Sequence, residues 1–360
     1  MLTRKSGTFF AIAATTAALL SLGACSKPSD SASAAADAGP ACNRQCLIDA
    51  TNAYIAAVVA HNPAKAPLAA NVVFVENVTK MKPGEGLWKN IVVGPSKFSI
   101  HVPDEVNQTA GYIGMMTYMG PQQAPQGATP AVREEYAKKP LLAQPVIVAI
   151  RLKFDDNGKV TEAEHLLSGV RDAQMVNLKT LRPGILTEIP AAQRKSHDEL
   201  IKIGASYYDA LDDNNGELMP FAPDCERHEN GMITASDKPS TAPVVPGAAP
   251  QPLVARDCKN QLSSNTFQYI AHIDNRRVFA ADPQTGLVMG LSHFRHPMDN
   301  LPYKVKNLDG TTSVKNKKNM TFAPFDLPAA HIFKIGADGM VHEIEAMGFT
   351  APYNSPTGWE

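Results

Sequence analysis

The sequence has almost no excess of charge of either sign. Its 360 residues contain 34 Lys and Arg against 35 Asp and Glu, for a formal net charge of -1. No long run of basic residues interrupts the chain. Proteins that bind nucleic acids neutralise phosphates with clustered Lys and Arg, so we expect no nucleic-acid partner.

The motifs that commonly hold cofactors are also missing. The chain contains no Gly-rich phosphate loop, no nucleophile elbow and no paired His and Cys. The apolar stretch at residues 9–22, FFAIAATTAALLSL, is shorter than the about 20 residues that a membrane-spanning helix needs. These absences give no reason to expect a bound cofactor, a metal or a membrane-spanning helix.

The N-terminus instead has the pattern of a signal peptide. Arg4 and Lys5 precede the apolar stretch, which ends at LGAC. LGAC resembles the lipobox of bacterial lipoproteins, which implies a signal peptide over residues 1–24 and a lipid on Cys25. Residues 26–41 are rich in Ser, Ala and Asp and read as a disordered tether. We expect a lipid-anchored protein of the cell envelope, on the outer membrane facing the periplasm or the surface; the alternative is an ordinary secreted protein in which Cys25 is incidental.

Four further cysteines remain, at positions 42, 46, 225 and 258. An even number in an oxidising compartment favours disulfides, and four cysteines allow three pairings. We favour a bridge between Cys225 and Cys258 and a local bridge between Cys42 and Cys46. A pairing between the two domains and a zinc site are the alternatives, and the scattered spacing argues against zinc.

The chain contains an internal repeat with an offset of 153 residues. Residues 47–77 align without a gap on residues 200–230, and both segments end in Glu-Asn, at Glu76-Asn77 and Glu229-Asn230. Each segment begins with apolar residues at helical spacing, and Ser196 with Glu199 forms a capping box before the second helix. Each continues into a short extended segment. The repeat predicts two domains with the same element order.

The far ends of the two halves match as well. Residues 152–164 correspond to 333–345, and Asn157-Gly158 and Asp338-Gly339 are strong hairpin signals within them. The segments between the ends predict strands, including FQYIAHI at 267–273 and LVMGLSHF at 287–294.

This element order resembles the SnoaL-like and ketosteroid isomerase-like cone fold of the nuclear transport factor superfamily. The resemblance implies an α+β fold with two tandem cone-like domains, each a curved antiparallel sheet wrapped around helices. The first covers residues 42–185, and the second covers 190–354 with a Pro-rich insertion at 236–256. Domains of this fold pair through their outer sheet faces, so we expect an intramolecular pseudo-dimer, and a homo-oligomer is compatible with it.

The same resemblance implies a function. Enzymes of this family place a carboxylate or His as base and a hydrogen-bond donor inside an apolar cone, and they act without a cofactor. We therefore expect a cofactor-free lyase, isomerase or dehydratase whose ligand is a small apolar or phenolic metabolite. The alternative is a non-catalytic ligand-binding or assembly lipoprotein of the cell envelope.

The richest polar cluster lies on the strand that contains LVMGLSHFRHP. Alternation along a strand places His293 and Arg295 on one face and His296 on the other, so the two histidines cannot easily share a metal ion. We choose His293 as the acid/base candidate because its ordinary pKa suits proton transfer at neutral pH. Arg277 could bind a carboxylate or oxyanion, and Tyr208, or its neighbour Tyr207, could supply a phenol. The alternative is a structural His on a half-buried sheet.

Five further residues are candidates for the site. A Glu-Asn pair at the end of a strand more often satisfies backbone hydrogen bonds than transfers protons, which leaves Glu229 a secondary candidate as a pocket-rim carboxylate. Ionisable residues concentrate on the strands of the second domain, so we expect the site there. Four residues complete the expected site as substrate-binding groups: Arg295, His342, Trp88 and Tyr118.

Overall fold

The computed structural model describes residues 42–124, 129–238 and 256–360. The predicted signal peptide, Cys25, the tether and most of the Pro-rich insertion lie outside the described residues. Within these ranges no helix has the length and hydropathy needed to span a bilayer.

The first half of the chain, residues 42–169, supplies one sheet and three helices. Its elements are α1 (Arg44–Val59), β1 (Leu68–Glu76), β2 (Thr79–Met81), α2 (Leu87–Asn90), β3 (Ile91–Val93), β4 (Ser99–Asp104), β5 (Thr109–Gly120), α3 (Pro130–Ala137), β6 (Leu142–Phe154) and β7 (Val160–Gly169).

The second half, residues 196–352, has a similar order. Its elements are α4 (His197–Asp212), β8 (Phe221–Glu229), β9 (Met232–Ala235), α5 (Cys258–Ser263), β10 (His272–Asp282), β11 (Leu287–His296), β12 (Tyr303–Lys306), β13 (Thr312–Lys315), β14 (Phe325–Ile335), β15 (Val341–Gly348) and β16 (Ala351–Pro352). A small hairpin (β12 and β13) stands in the place of α3, and a short additional strand, β16, stands at the end.

The two large sheets share one strand order. The first runs β2-β1-β7-β6-β5, with β3 and β4 both on β5, and the second runs β9-β8-β15-β14-β11-β10. The fold is therefore α+β with two sheet-dominated halves, as predicted. Each sheet is mixed rather than antiparallel, which corrects the expectation, because β1 lies parallel to β7 and β8 lies parallel to β15. The first strand of each half is placed beside the last, and this long-range pairing leaves no mark in local sequence.

Local signals explain where the helices and turns begin. Asn43 caps α1 by accepting from the Cys46 amide, and Ser196 forms the predicted capping box with Glu199 at the start of α4. The predicted hairpin turns join β6 to β7 and β14 to β15, where Gly158 and Gly339 adopt φ angles of 69° and 79°.

Both favoured disulfides are present in the structure. Cys42 bonds to Cys46 at the start of α1, and Cys225 bonds to Cys258, which joins β8 to α5. The second bridge is fully buried and ties the strand that carries Glu229 to the segment that follows the Pro-rich insertion.

Three apolar clusters divide the interior. One fills the space between α1 and the first sheet, and a second fills the space between α4 and the second sheet. The third draws on the opposite faces of both sheets, which we call the seam; its members include Ile100, Ile113, Met115, Ala280, Met289 and Ile332. Burying these two sheet faces against each other removes apolar surface that each half would otherwise expose.

Polar contacts cross the seam in reciprocal pairs. Arg44, at the start of α1, binds the Asp282 carboxylate at 2.9 Å. His197, which occupies the equivalent position at the start of α4, lies 2.8 Å from Asp104 through Nε2. Asp104 and Asp282 are buried at the ends of β4 and β10. Each half thus offers a terminal aspartate to the first helical turn of the other.

Candidate functional site

A cavity of about 50 Å³ lies on the helix-covered face of the second sheet. Residues of β8, β11, β14 and β15 form one side, and Phe267, Tyr269 and Ile270 from the loop before β10 form another. This volume has room for roughly three to five water-sized groups. The polar side chains that line it are those of Arg227, Glu229, His296 and His331, together with the Tyr269 phenol.

Arg227 and Glu229 form an ion pair at the edge of this cavity. They are alternate residues of β8, so their side chains leave the same face of the strand. The Arg227 guanidinium donates to Glu229 Oε2 at 2.7 Å, to the Tyr207 hydroxyl at 2.9 Å and to Thr234 Oγ1 at 2.7 Å. Arg227 is buried, whereas the Glu229 side chain remains 28% exposed, so the carboxylate connects the cavity to solvent.

His296 is stacked between two aromatic rings beside the ion pair. Its ring centroid lies 4.1 Å from that of Phe325 and 5.2 Å from that of Tyr269. Nδ1 is buried and has no hydrogen-bond partner among the described residues. Burial lowers the pKa of His296 to about 4, so the imidazole is neutral at pH 7. A buried, unpaired ring nitrogen costs about 1–3 kcal/mol, which a bound group could recover.

The first half has a different arrangement at the equivalent place. The Tyr54 hydroxyl lies 2.9 Å from His165 Nε2, and His165 Nδ1 lies 3.2 Å from Glu76 Oε2. Both carboxylate oxygens of Glu76 also accept from the Leu87 amide, at 2.9 and 3.1 Å. Burial raises the pKa of Tyr54. The His165 imidazole therefore fills the space between tyrosine and glutamate.

Strand register makes the comparison between halves residue by residue. Glu76 pairs with His165 across β1 and β7, and Glu229 pairs with Ala346 across β8 and β15. The amides of Asn77 and Asn230 donate to the carbonyls of His165 and Ala346, at 2.9 Å in both halves. Ala346 is therefore the counterpart of His165.

The asparagines show what the repeated Glu-Asn pair does. The Asn77 amide side chain bonds to the backbone of Leu167, and that of Asn230 bonds to the backbone of Gly348 in the same way. Both asparagines adopt positive φ, 44° and 47°, which this residue type tolerates. The asparagine is architectural in both halves, and only the glutamate differs in its surroundings.

Two lining residues of the cavity are smaller than their counterparts in the first half. The imidazole of His165 and the isobutyl group of Leu167 give way to the methyl of Ala346 and the hydrogen of Gly348, and both smaller residues line the cavity. The two halves share the backbone of this corner. In the second half these two positions carry smaller side chains, and Arg227 joins the tyrosine to the glutamate.

His293 lies on the other face of β11. The predicted alternation holds, but the cavity is on the His296 side, and His293 faces the seam beside a space of about 10 Å³. Its Nε2 lies 3.3 Å from Asp326 and 3.3 Å from Arg295, which also binds Asp274. Burial and the charge of Arg295 lower the pKa of His293 against the opposing effect of Asp326. The expected grouping of His293 with the cone pocket does not occur.

Arg277 binds a carboxylate, but that carboxylate belongs to the protein. Its two terminal nitrogens donate to Glu164 across the seam at 2.6 and 2.8 Å. The corresponding glutamate of the second half, Glu345, pairs with Arg182 from the segment between the halves at 3.3 Å. Burial raises the pKa of Glu345 to about 7. These recurring glutamates hold arginines from other parts of the chain and so serve the scaffold.

The other predicted site residues are dispersed. Tyr208 is buried beside the cavity and its hydroxyl lies 3.4 Å from His331 Nδ1. Trp88 packs edge-on against Tyr54 in the core of the first half, and Tyr118 packs against that same core. The His342 ring lies between Asp224 and Asp338, away from the cavity lining. The structure brings only Tyr208 and Glu229 close to the cavity.

Sequence reasoning misses Arg227, His331 and the role of His296. Arg227 stands two positions before Glu229, and this alternate spacing on a strand is a readable signal. The sequence raises His296 only as a zinc ligand. Among the described residues no group of three or more His, Cys, Asp or Glu side chains is placed to hold a metal ion.

Comparisons with known proteins add little to this geometry. A family described as a domain of unknown function (DUF8021) matches residues 193–348, which is the second half. No curated protein matches the chain. The chain is similar to the crystal structure of a conserved protein from Planctomyces limnophilus DSM 3776, at 9% identity, over 35% of this chain and 97% of that one. The TM-score of 0.23 supports no argument from that likeness.

Proposed function

We propose that both halves are SnoaL-like cone domains that pair as an intramolecular pseudo-dimer. The shared strand order supports this proposal, and so do the reciprocal contacts of Arg44 with Asp282 and of His197 with Asp104. Reciprocal contacts between equivalent surface positions are the mark of a two-fold interface.

We propose that the second half transfers a proton on a small uncharged molecule without a cofactor, as an isomerase, lyase or dehydratase. One observation carries the proposal: the Glu229 carboxylate and the neutral His296, whose Nδ1 has no hydrogen-bond partner among the described residues, line the same cavity. The volume excludes a steroid-sized ligand.

The two groups suit complementary roles. Glu229 takes a proton from the substrate, and its ion pair with Arg227 fixes the orientation of the carboxylate. Neutral His296 donates a hydrogen bond from Nδ1 to the oxygen on which negative charge develops, as a neutral imidazole can when its environment prevents protonation. The aromatic rings on either side of His296 hold this donor in place before the substrate enters.

The N-terminal sequence is what supports a proposal on cellular placement. We propose that Cys25 carries the lipid anchor and that residues 26–41 tether the folded part to the envelope. Replacement of Cys25 by Ser is expected to release the protein from membranes, and a Cys25→Ser protein that still sediments with membranes contradicts the anchor.

Deuterium exchange tests the catalytic proposal whatever the net reaction is, because it follows the proton transfer itself. The protein is incubated in D₂O with small uncharged carbonyl compounds, and incorporation of deuterium at carbon is followed by NMR. We expect exchange with at least one compound, and Glu229→Gln should slow it by about 10²- to 10⁴-fold.

His293→Ala is the matched control, because His293 lies on the opposite face of β11. It should leave the exchange rate unchanged. Loss of exchange with His293→Ala but not with Glu229→Gln would move the chemistry to the seam. Binding of these compounds with no exchange would favour the second candidate, a non-catalytic binding protein. The ion pair between Glu229 and Arg227 supports this candidate, because it gives the cavity lining polar groups without a net charge.

A further inference from the structure

In the first half, the His165 side chain lies at the place where the second half has a cavity. The His165 imidazole contacts Phe74 edge-on, with ring centroids 4.8 Å apart, and bonds at its two nitrogens to Glu76 and Tyr54. This corner of the fold therefore accommodates a planar five-membered ring that forms hydrogen bonds through two ring nitrogens.

The second half lacks this ring but keeps a polar and aromatic environment. Ala346 and Gly348 line the open space together with the side chains of Glu229 and His296. Nδ1 of His296 is buried and has no hydrogen-bond partner among the described residues. Phe294 and Tyr269 supply aromatic surfaces, on which a planar ring can stack or pack edge-on. Arg227 already bridges Tyr207 and Glu229, so the ligand need not do so.

The charge and the volume of the cavity further restrict the chemical class of the ligand. Arg227 and Glu229 neutralise each other within the lining. A charged ligand would bring an uncompensated charge into a partly buried space whose own charges already balance, which is costly. Room for roughly three to five water-sized groups matches a single five-membered ring.

We propose that the cavity binds a small uncharged planar heterocycle with an N–H donor, of the size and polarity of an azole. The ring lies over Ala346, donates to Glu229 and accepts from His296 Nδ1. This inference rests on the proposed function in taking the cavity as the ligand site, and it names the class of substrate or ligand.

Pyrazole is the probe, because it is an uncharged azole at neutral pH. Furan has the same size and no N–H donor, and acetate is small and charged. Binding to the full chain is followed by methyl NMR, with the Ile270, Leu327 and Met347 methyls as reporters because they line the cavity. We expect pyrazole to shift these methyls with a Kd in the millimolar range or tighter, and furan and acetate to bind at least about tenfold more weakly.

Three substitutions test whether pyrazole binds in the cavity. Ala346→His should abolish pyrazole binding because the new imidazole fills the space, and Ala192→His, at an exposed position, should not change it. His296→Phe keeps the aromatic stack and removes Nδ1, so it should weaken pyrazole binding by about tenfold. This last variant decides the matter if Ala346→His does not fold.

The outcomes separate the inference from the proposed function. Binding of furan or acetate as tightly as pyrazole overturns the azole class and leaves the cavity as a ligand site. Pyrazole binding that persists in Ala346→His, or no shift of the reporter methyls with pyrazole, also overturns it. Pyrazole binding without proton exchange on any substrate supports the inference while the catalytic proposal fails.

Discussion

The two halves of the chain differ at one buried corner, which contains a tyrosine and a glutamate in both. In the first half, Tyr54 and Glu76 are joined by the imidazole of His165, and the space between them is full. In the second half, the equivalent Tyr207 and Glu229 are joined by the guanidinium of Arg227, which comes from a different strand and leaves a cavity. The two halves therefore share the tyrosine and the glutamate and differ in the residue that connects them.

This difference has a physical basis. A buried carboxylate needs hydrogen bonds or a counter-charge, and each half provides them differently. Glu76 accepts from a backbone amide and an imidazole, whereas Glu229 pairs with a cation and remains partly in solvent. The first half therefore has a closed structural core, and the second half has a cavity with polar side chains in its lining.

The largest expected effect on stability comes from removing the His165 side chain. His165→Ala removes the group that bonds to both Tyr54 and Glu76, and it leaves a void and two poorly satisfied polar groups. We expect a loss of about 3–5 kcal/mol of stability, measured by denaturant unfolding.

His101→Ala is the control in the same half. His101 is half-buried and bonds through Nε2 to Asn52 at 3.0 Å near the surface, so its loss should cost about 1 kcal/mol or less. Equal costs for the two variants would mean that His165 does not hold the corner together.

A smaller effect is expected from converting the second half into the first. Position 227 corresponds to Phe74, so Arg227→Phe with Ala346→His recreates the first-half set. Arg227→Phe alone should destabilise the protein, because Glu229 and Tyr207 lose their partner. In the double variant the new imidazole can join them, so we expect a favourable coupling of about 1–2 kcal/mol in a double-mutant cycle of unfolding free energies. Additive costs would contradict the equivalence of the two corners.

The smallest effect concerns the reciprocal contacts at the seam. Partial burial opposes protonation of His197, but hydrogen bonds to Asp198 and Asp104 outweigh it and raise the pKa of His197. Because the pKa is higher in the folded state, the stabilisation is complete below the unfolded value of about 6.5 and is lost as the pH rises through the folded value.

We expect a contribution below about 1 kcal/mol, seen as a decline in unfolding midpoint above neutral pH that is absent in His197→Gln. The equivalent residue Arg44 keeps its charge over this range, so Arg44→Gln should retain the decline. A His197→Gln protein with the same pH profile as the unaltered chain would show that the pair is not coupled to folding.

Much of the fold is predictable from local signals. The repeat, the capping box at Ser196, the two glycine hairpins and both disulfides are encoded within short stretches, and the structure contains each of them. The aromatic and β-branched composition of residues 267–273 predicts a strand there. Only the last two of these residues belong to β10, and Phe267 and Tyr269 are in a loop where they cover the cavity.

The site is less predictable for a physical reason. Alternation on β11 separates His293 from His296 but cannot say which face the helix covers, since that depends on packing between distant elements. The cavity depends on two absences, at Ala346 and Gly348, and small residues give no signal by themselves. Only alignment of the two halves shows that a histidine and a leucine stand at their counterparts.

A high-resolution crystal structure of the purified chain tests the central claim most directly. The account predicts density for water or a small ligand in the cavity of the second half, within hydrogen-bond distance of His296 Nδ1, and no such density between Tyr54 and Glu76, where the His165 ring lies. A second half in which side chains close over Ala346 and Gly348 and leave no space beside Glu229 would contradict it.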